Sequence, residues 1–178
     1  MERDLRLGMI PVMARGPMTF DEFEPGQAFE SGPRTISRAD IDAFAALSGD
    51  RTALHTDEAY ARTTPFGGLV AHGALVLSVA TGLAFDLGIF EGSVLALRSM
   101  EIAFERPVYP EDILKLDLRV KSKEPQPRPD RGRVTFAVGL TNQHGRSALS
   151  ASWVLLLRRS PEMDNPAHPS RSDSPPPV

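Results

Sequence analysis

The stretch Leu69-Val-Ala-His-Gly-Ala-Leu-Val-Leu-Ser-Val-Ala-Thr-Gly-Leu-Ala-Phe85 decides the fold, because it carries no aspartate, glutamate, lysine or arginine. A membrane-spanning helix needs about 20 apolar residues. This run is shorter, contains His72 and several Gly, Ser and Thr, and is followed by strand patterns that need a core of their own. We therefore predict a buried helix from about His72 to Asp86, closed by Gly88.

Half-buried strands are predicted after this helix. Apolar residues alternate with charged ones in Leu114–Lys121, and the same period of two recurs in Val134–Leu140. Asn142–Gly145 has the composition of a hairpin turn, after which Leu149–Leu157 returns as a strand that carries Trp153. One long apolar helix followed by antiparallel strands predicts an α+β fold in which the sheet wraps around the helix.

Shorter elements are predicted before the long helix. Phe29–Thr35 has the pattern of a short first strand. Ser37 and Asp40 resemble a capping arrangement for a helix that stops at Gly49. Asp57 is placed to cap a short second helix. The segment between these two helices is predicted to be a loop.

Length and composition predict one domain with two ends outside it. The chain has 178 residues with 41% hydrophobic content, enough for one core. Residues 1–17 are predicted to form a flexible extension, 18–159 the domain, and 160–178, rich in Pro and Ser, a disordered tail. Glu124–Arg133, with prolines among charges, is predicted to be a loop between strands. Because no internal repeat is found, we expect one copy of the domain per chain and a homodimer, or a dimer of dimers, that covers the sheet edge.

Charge and cysteine content exclude several classes of function. Cysteine is absent, which excludes disulfide frameworks, thiolate nucleophiles and sulfur-based zinc sites. The formal net charge of −3 argues against a general nucleic-acid binder. The N-terminal residues lack the apolar core of a secretory signal. We therefore expect a cytoplasmic protein that binds neither nucleic acid nor a membrane.

The stretch Leu47-Ser-Gly-Asp-Arg-Thr-Ala-Leu-His-Thr-Asp57 carries the candidate catalytic residues, Asp50 and His55. An Asp after Ser-Gly is often a turn former or a helix cap, and a lone His is more often a polar group with a satisfied hydrogen bond than a catalyst. The glycine-rich loop from Thr64 and the helix after it add unpaired backbone N–H groups and the positive end of a helix dipole. An acid, a base and an anion-stabilising helix start together predict a catalytic site.

Two of these motifs carry a resemblance to a known family. Ser48-Gly-Asp-Arg-Thr-Ala-Leu-His55, followed by Ala71-His-Gly73, resembles the MaoC-type (R)-specific enoyl-CoA hydratases, which have a hot-dog fold. Phe104–Asp112 also resembles that family, and the likeness runs from about Phe20 to Arg158. It implies a single hot-dog domain that acts on an acyl-CoA or acyl-carrier-protein thioester. It also implies that no metal is needed and no cofactor beyond the coenzyme A of the substrate.

The resemblance also implies roles for individual residues. Asp50 corresponds to the base that takes a proton from water, and His55 to the partner that supplies a proton to C2. The N–H of Gly73 corresponds to the oxyanion-hole donor for the thioester oxygen. Thr81 corresponds to a hydroxyl residue that supports the aspartate. An acid or base contributes about 10²–10⁴-fold to the rate and an oxyanion donor about 10²–10³-fold.

Two positions depart from the family pattern Asp-x-Asn-Pro-x-His, because Thr52 and Ala53 replace Asn-Pro. Losing the amide predicts lower activity or a changed substrate preference, although the hydroxyl of Thr52 still allows a hydrogen bond. His72 precedes the oxyanion amide. We assign it a structural or loop-positioning role, because His55 already has a partner.

Three functions follow from these residues. The leading hypothesis is hydration of a 2-enoyl-CoA to the (3R)-3-hydroxyacyl-CoA, or the reverse dehydration, as in fatty acid metabolism. The second is a hot-dog thioesterase, which would release a free thiol. The third is a non-catalytic acyl-thioester binding subunit, which would bind acyl-CoA without turnover. The Thr52-Ala53 departure leaves this alternative open, while the presence of both Asp50 and His55 argues against it. Several arginines and lysines could meet the coenzyme A phosphates, and none is assigned.

Overall fold

An antiparallel sheet of six strands is the largest structural unit of residues 16–160, the part of the chain that the computed structural model describes. The strands are β1 (Ala28–Glu30), β2 (Arg34–Thr35), β3 (Val94–Phe104), β4 (Ile113–Pro125), β5 (Arg131–Thr141) and β6 (Ser147–Arg158). The helices are a 3-10 turn (Phe20–Glu22), α1 (Arg38–Ser48), α2 (Ala53–Thr56), α3 (Glu58–Arg62) and α4 (Gly73–Phe85). The strand order is β1-β4-β5-β6-β3, and β2 also pairs with β4. The predicted extension and tail lie outside the described residues, except for Gly16, Pro17 and Ser160.

Helix α4 is the long apolar helix that the sequence predicts. It follows His72, whose backbone is extended, and ends at Asp86; Gly88 then turns the chain with a φ of 71°. Its buried side chains join the same core cluster as the inward side chains of the sheet: Leu75, Val76, Ala80, Leu83 and Ala84. The predicted α+β arrangement of a sheet around a helix is confirmed. No helix in the described range is long and apolar enough to cross a bilayer.

Alternate side chains of the sheet point toward α4, as the period of two in the sequence predicts. In β4 the side chains of Leu114, Leu116, Leu118 and Val120 are at most 1% exposed, while the residues between them are exposed or half-buried. In β5, Phe136 lies opposite Trp153 of β6 and both side chains are buried. Burying one such apolar side chain fully contributes about 1.5–3 kcal/mol, so this face holds the sheet on the helix.

Strand β3 is absent from the sequence-based prediction and lies at the edge of the sheet. It pairs only with β6 within the described part of the chain. Most of its side chains are exposed, including Leu97 at 47% and Phe104 at 55%. The burial of the β3 side chains shows no clear alternation, because neither face of the strand is fully covered. An edge strand with uncovered apolar side chains is prone to pair with another chain unless something covers it.

Two further predictions are corrected by the strand pairing. The strand predicted over Phe29–Thr35 is divided into β1 and β2, which pair with different parts of β4. Pro33, which has no N–H to donate, lies in the break between them. The loop predicted over Glu124–Arg133 is shorter than expected. Glu124 pairs with Arg133 in the β4–β5 ladder, so only residues 126–130 form the loop.

Candidate active site

Asp50 lies on an exposed loop directly after α1. The cap predicted at the start of α1 is confirmed, since the Oγ of Ser37 accepts a bond from the backbone N–H of Asp40. Gly49 ends the helix with a φ of 79°, a left-handed conformation that glycine adopts without strain. The turn at Gly49 places Asp50 at the exposed start of the loop that leads to α2.

The carboxylate of Asp50 is held by Thr52, two residues later. Its Oδ1 accepts bonds from the Thr52 hydroxyl at 2.7 Å and from the Thr52 backbone N–H at 3.1 Å. The hydroxyl bond is the main cause that lowers the pKa of Asp50, with the backbone bond next. Asp50 is therefore ionised at neutral pH. Thr52, which stands where the family pattern has Asn, thus makes the hydrogen bond that its hydroxyl was expected to allow.

His55 lies on the single turn of α2, which the sequence-based prediction treats as loop. Its Nδ1 is 2.7 Å from the carbonyl oxygen of Val70. A carbonyl oxygen only accepts, so Nδ1 carries a hydrogen in either charge state of the ring. Nε2 is then the nitrogen that gains and loses a proton. This bond also ties α2 to the segment that leads into α4.

His72 is buried beneath His55. The two rings are stacked with centroids 3.8 Å apart and planes 29° apart, and His72 is 2% exposed. Its Nε2 lies 2.9 Å from the backbone carbonyl oxygen of Asp50, so this nitrogen donates the bond. Its Nδ1 has no hydrogen-bond partner among residues 16–160. His72 thus contacts both residues of the predicted catalytic pair.

Gly73 is the first residue of α4, directly after His72. The N–H groups of the first helical turn have no acceptor within the helix, and the positive end of the helix dipole lies at the same place. The ring of Phe104 lies close to Gly73, since a Cβ on Gly73 would be 3.0 Å from the Cζ of Phe104. The helix start therefore lies one residue from the ring that stacks on His55, which brings Asp50, His55 and Gly73 into one region.

Asp50, His55 and His72 also form the group whose potential ligand atoms lie within 4.8 Å of one another. Imidazole lone pairs lie in the plane of the ring, so two stacked rings direct them side by side rather than toward one point. Each ring also gives one nitrogen to a backbone carbonyl oxygen. This arrangement suits proton transfer through bound water better than chelation of a metal ion.

Thr81 is not brought to Asp50 within one chain. Its hydroxyl donates to the carbonyl oxygen of Ser78 at 2.7 Å, on the same helix. Eight residues separate it from Gly73, which is about 12 Å along a helix axis. Thr81 instead lines a cavity of ≈ 400 Å³ between α4 and β3, together with Phe85, Leu97, Met100 and Trp153.

This cavity is mostly apolar and was not indicated by the sequence. Met100 of β3 lies opposite Trp153 of β6, four residues from Phe104, which is about 13 Å along a strand. The indole Nε1 of Trp153 is buried and has no hydrogen-bond partner in the described range. No local pattern could have found the cavity, because its walls come from one helix and two strands that are distant in the chain.

The chain is similar in sequence to several known proteins. A family model described as a MaoC like domain matches residues 22–141. The chain is 31% identical to an (R)-specific enoyl-CoA hydratase from Aeromonas caviae over 140 residues, which cover 79% of this chain and 99% of the relative. It is 39% identical to the protein MaoC of Klebsiella aerogenes over 105 residues, 58% of this chain. That match spans only 31% of the relative's length.

A solved structure supports the fold. A Mycobacterium tuberculosis protein described as having a double hot-dog fold is similar with a TM-score of 0.73 and 25% sequence identity. The match covers 92% of this chain and 52% of that one. The chain therefore has a hot-dog fold and corresponds to about half of the double form.

Proposed function

This chain belongs to the MaoC-like dehydratase domain family, and from that premise we propose that it is a hydro-lyase that acts on 2-enoyl-CoA thioesters. The reaction adds water to give the (3R)-3-hydroxyacyl-CoA, or removes it in the reverse direction. The observation that carries the proposal is the meeting of Asp50, His55 and the start of α4 in one region. The name of the Aeromonas caviae relative supports the same reaction class.

In this proposal Asp50 and His55 share one water molecule. The water oxygen forms a bond to C3 while the carboxylate of Asp50 takes one of its protons. His55 enters the cycle with a hydrogen on both ring nitrogens, and Nε2 delivers its proton to C2. The cycle closes when the proton that Asp50 took from water passes to Nε2 of His55. The lowered pKa of Asp50 keeps the carboxylate ionised and free to accept a proton, but it also makes the carboxylate a weaker base.

The start of α4 would stabilise the charge that develops during this reaction. Attack at C3 moves electron density to the thioester oxygen, which becomes enolate-like. The N–H of Gly73, with the dipole of α4 behind it, would donate to that oxygen without reorganisation. Because this donor is part of the backbone, no side-chain substitution at other positions removes it directly.

The cavity between α4 and β3 supports an acyl substrate. It begins about 13 Å along β3 from the residue that packs on Gly73. Its lining is largely apolar, as an acyl chain requires. An acyl chain that starts at the helix would therefore run along α4 toward Trp153.

We also propose that a second copy of the chain covers β3 and completes the site. The exposed apolar side chains of this edge strand, such as Leu97, favour pairing with another strand. The match to half of a double hot-dog protein favours a second copy as the partner. In such a dimer Thr81 is exposed toward the partner and could support Asp50 only from the other subunit. A single Leu97→Lys change should then shift the protein to a monomer in sedimentation analysis.

The experiment that tests the proposal follows loss of the conjugated enoyl thioester absorbance. Wild-type protein is mixed with crotonyl-CoA and with longer or branched 2-enoyl-CoA esters, beside Asp50→Asn and His55→Gln. Each substitution removes one proton-transferring group and should lower kcat by about 10²–10⁴-fold. Chiral analysis of the product should give the (3R) isomer. The same esters on an acyl carrier protein would show which carrier is preferred.

The outcomes distinguish the alternatives. Release of a free thiol would support the thioesterase. Tight binding of acyl-CoA without turnover would support a non-catalytic subunit, and Thr52 would then be the first residue to change to Asn. That the reaction needs no metal, and no cofactor beyond the coenzyme A of the substrate, stays a prediction, as do a role in fatty acid metabolism and a cytoplasmic location.

A further inference from the structure

We propose that His72 is a positioning residue that holds Asp50 and His55 in the geometry needed for proton transfer. The inference rests on the proposed hydratase function and deepens it. His72 touches both residues of the pair through two different contacts, one with each. Neither contact transfers a proton to substrate, so His72 acts through the other two residues.

The first contact fixes the loop that carries Asp50. The Nε2 of His72 donates to the Asp50 carbonyl oxygen at 2.9 Å, from a side chain that is 2% exposed. The Asp50 side chain is exposed, and within the described residues its carboxylate bonds only to the nearby Thr52. The bond from His72 therefore anchors the backbone of this loop to the start of α4. Without it, the loop would lose its own bond to the start of α4 and would depend on α2, which His55 ties to Val70.

The second contact supports the ring of His55. The two imidazoles are stacked at 3.8 Å, and His72 also packs near the ring of Phe44, with centroids 5.1 Å apart. His55 is bonded at Nδ1 to the Val70 carbonyl oxygen, which fixes one point of its ring. Stacking fixes the plane of the ring. Together the two contacts direct Nε2 of His55 to one place.

The unpartnered Nδ1 of His72 argues against a role in packing alone. A buried ring nitrogen without a hydrogen-bond partner is unfavourable compared with an apolar side chain of similar size. A phenylalanine would also present a flat ring here and would not bury a polar atom. The imidazole is suited to this position because it combines a flat face for His55 with a donor that reaches the Asp50 carbonyl oxygen.

The test separates the two contacts with two variants. His72→Phe keeps a flat ring against His55 and removes the donor. His72→Gln keeps an N–H near the position of Nε2 and removes the ring. Since a small misplacement of reacting groups can cost about 10²-fold, each variant should lose at least about tenfold in kcat, and His72→Ala, which loses both contacts, should lose about 10²-fold. KM should stay within about twofold, because the substrate itself does not touch His72. Val134→Ala, a buried change in β5, is the matched control for lost packing.

A spectroscopic measurement keeps the proposal testable when a variant is unstable or the substrate is wrong. Nitrogen-15 NMR of the wild-type histidines should show His72 with hydrogen on Nε2 and His55 with hydrogen on Nδ1. In His72→Gln the His55 signals should move, while in Val134→Ala they should not. A His72 protonated at Nδ1, or unchanged kcat and unchanged His55 signals in both His72→Phe and His72→Gln, would overturn the proposal. A wild type without hydratase activity that still shows these signals would reject the proposed function and keep the positioning role.

Discussion

Gly73→Ala tests the role of the helix start with the smallest possible change. The substitution adds one methyl group and leaves the backbone N–H in place. The new Cβ would lie 3.0, 3.1 and 3.3 Å from the Cζ, Cε1 and Cε2 atoms of the Phe104 ring. Carbon atoms pack best at about 3.5–4.0 Å, so the ring of Phe104 must move by a few tenths of an ångström or more.

The cost of this clash to stability should be small. Phe104 is 55% exposed, so its ring has solvent to turn into. Replacing a helical glycine by alanine favours the helix by up to about 1 kcal/mol, which offsets the displacement. We expect the free energy of unfolding to stay within about 1 kcal/mol of the wild-type value, measured by urea denaturation.

The cost to activity should be much larger. The added methyl group and the displaced ring both lie beside the N–H that is proposed to bind the thioester oxygen. Loss of one oxyanion donor costs about 10²–10³-fold in kcat. We therefore expect kcat/KM for crotonyl-CoA to fall by about 10²-fold, which is about 2.7 kcal/mol of transition-state stabilisation.

A double variant locates the source of the loss. In Gly73→Ala combined with Phe104→Ala the methyl group no longer meets the ring. Activity that returns would show that ring displacement moved the substrate, and activity that stays low would show that the methyl group itself blocks the oxygen. If Gly73→Ala keeps kcat/KM within about threefold of the wild type, the reasoning about the helix start is wrong.

Three further predictions test other contacts. Thr52→Val should raise the pKa of Asp50, because it removes the hydroxyl bond that chiefly lowers it, and should lower kcat, because the carboxylate loses that support. Thr52→Asn, which offers an amide donor instead, should keep the kcat that Thr52→Val loses. The absorbance assay measures kcat for both variants. Gly132→Ala places a Cβ against the ring of the buried Phe20, so the free energy of unfolding in urea should fall by about 1–3 kcal/mol, and a fall below about 0.5 kcal/mol would contradict the packing. The pKa of Asp117 is raised, chiefly by burial and then by a glutamate on β1, so its ionisation costs stability above that pKa. Asp117→Asn should therefore be more stable than wild type at pH 7. At about pH 3 the two proteins should be equally stable, because Asp117 is then protonated in both the folded and the unfolded wild type. Thermal unfolding at the two pH values would show this.

The parts of the fold that the sequence predicts are those with a strong local signal. The uncharged run from Leu69 to Phe85 predicts α4, since its length and composition fit a buried helix and little else. The alternation in β4 and β5 survives in the structure because each strand has one face against the core. The cap at Ser37 is equally local, since donor and acceptor lie three residues apart. In each case the sequence of the element itself is enough to predict it.

Strand β3 could not be predicted in this way. Its side chains from Val94 to Phe104 show little alternation in burial, because the strand lies at an edge where only a few of them, such as Met100 and Ile102, pack against the core. Helix α2 has a single turn, too short for any periodic signal, and yet it carries His55. Both elements depend on what lies beside them in space. For β3 the missing partner is, in our proposal, a second copy of the chain.

The candidate site also has a part that the sequence predicts and a part that it does not. The unpredicted part is the position of the reacting groups. Asp50 and His55 could be predicted because their spacing matches a family motif, but their residue types do not fix where their atoms lie. His72 joins the start of α4, which the buried core holds in place, to the exposed loop that carries Asp50. A loop that moves is a poor place for a base that must act within a few tenths of an ångström. An exposed loop keeps the site accessible to a large thioester, but the carboxylate is held accurately only if the loop is bonded to the rigid helix. In our proposal His72 makes that bond.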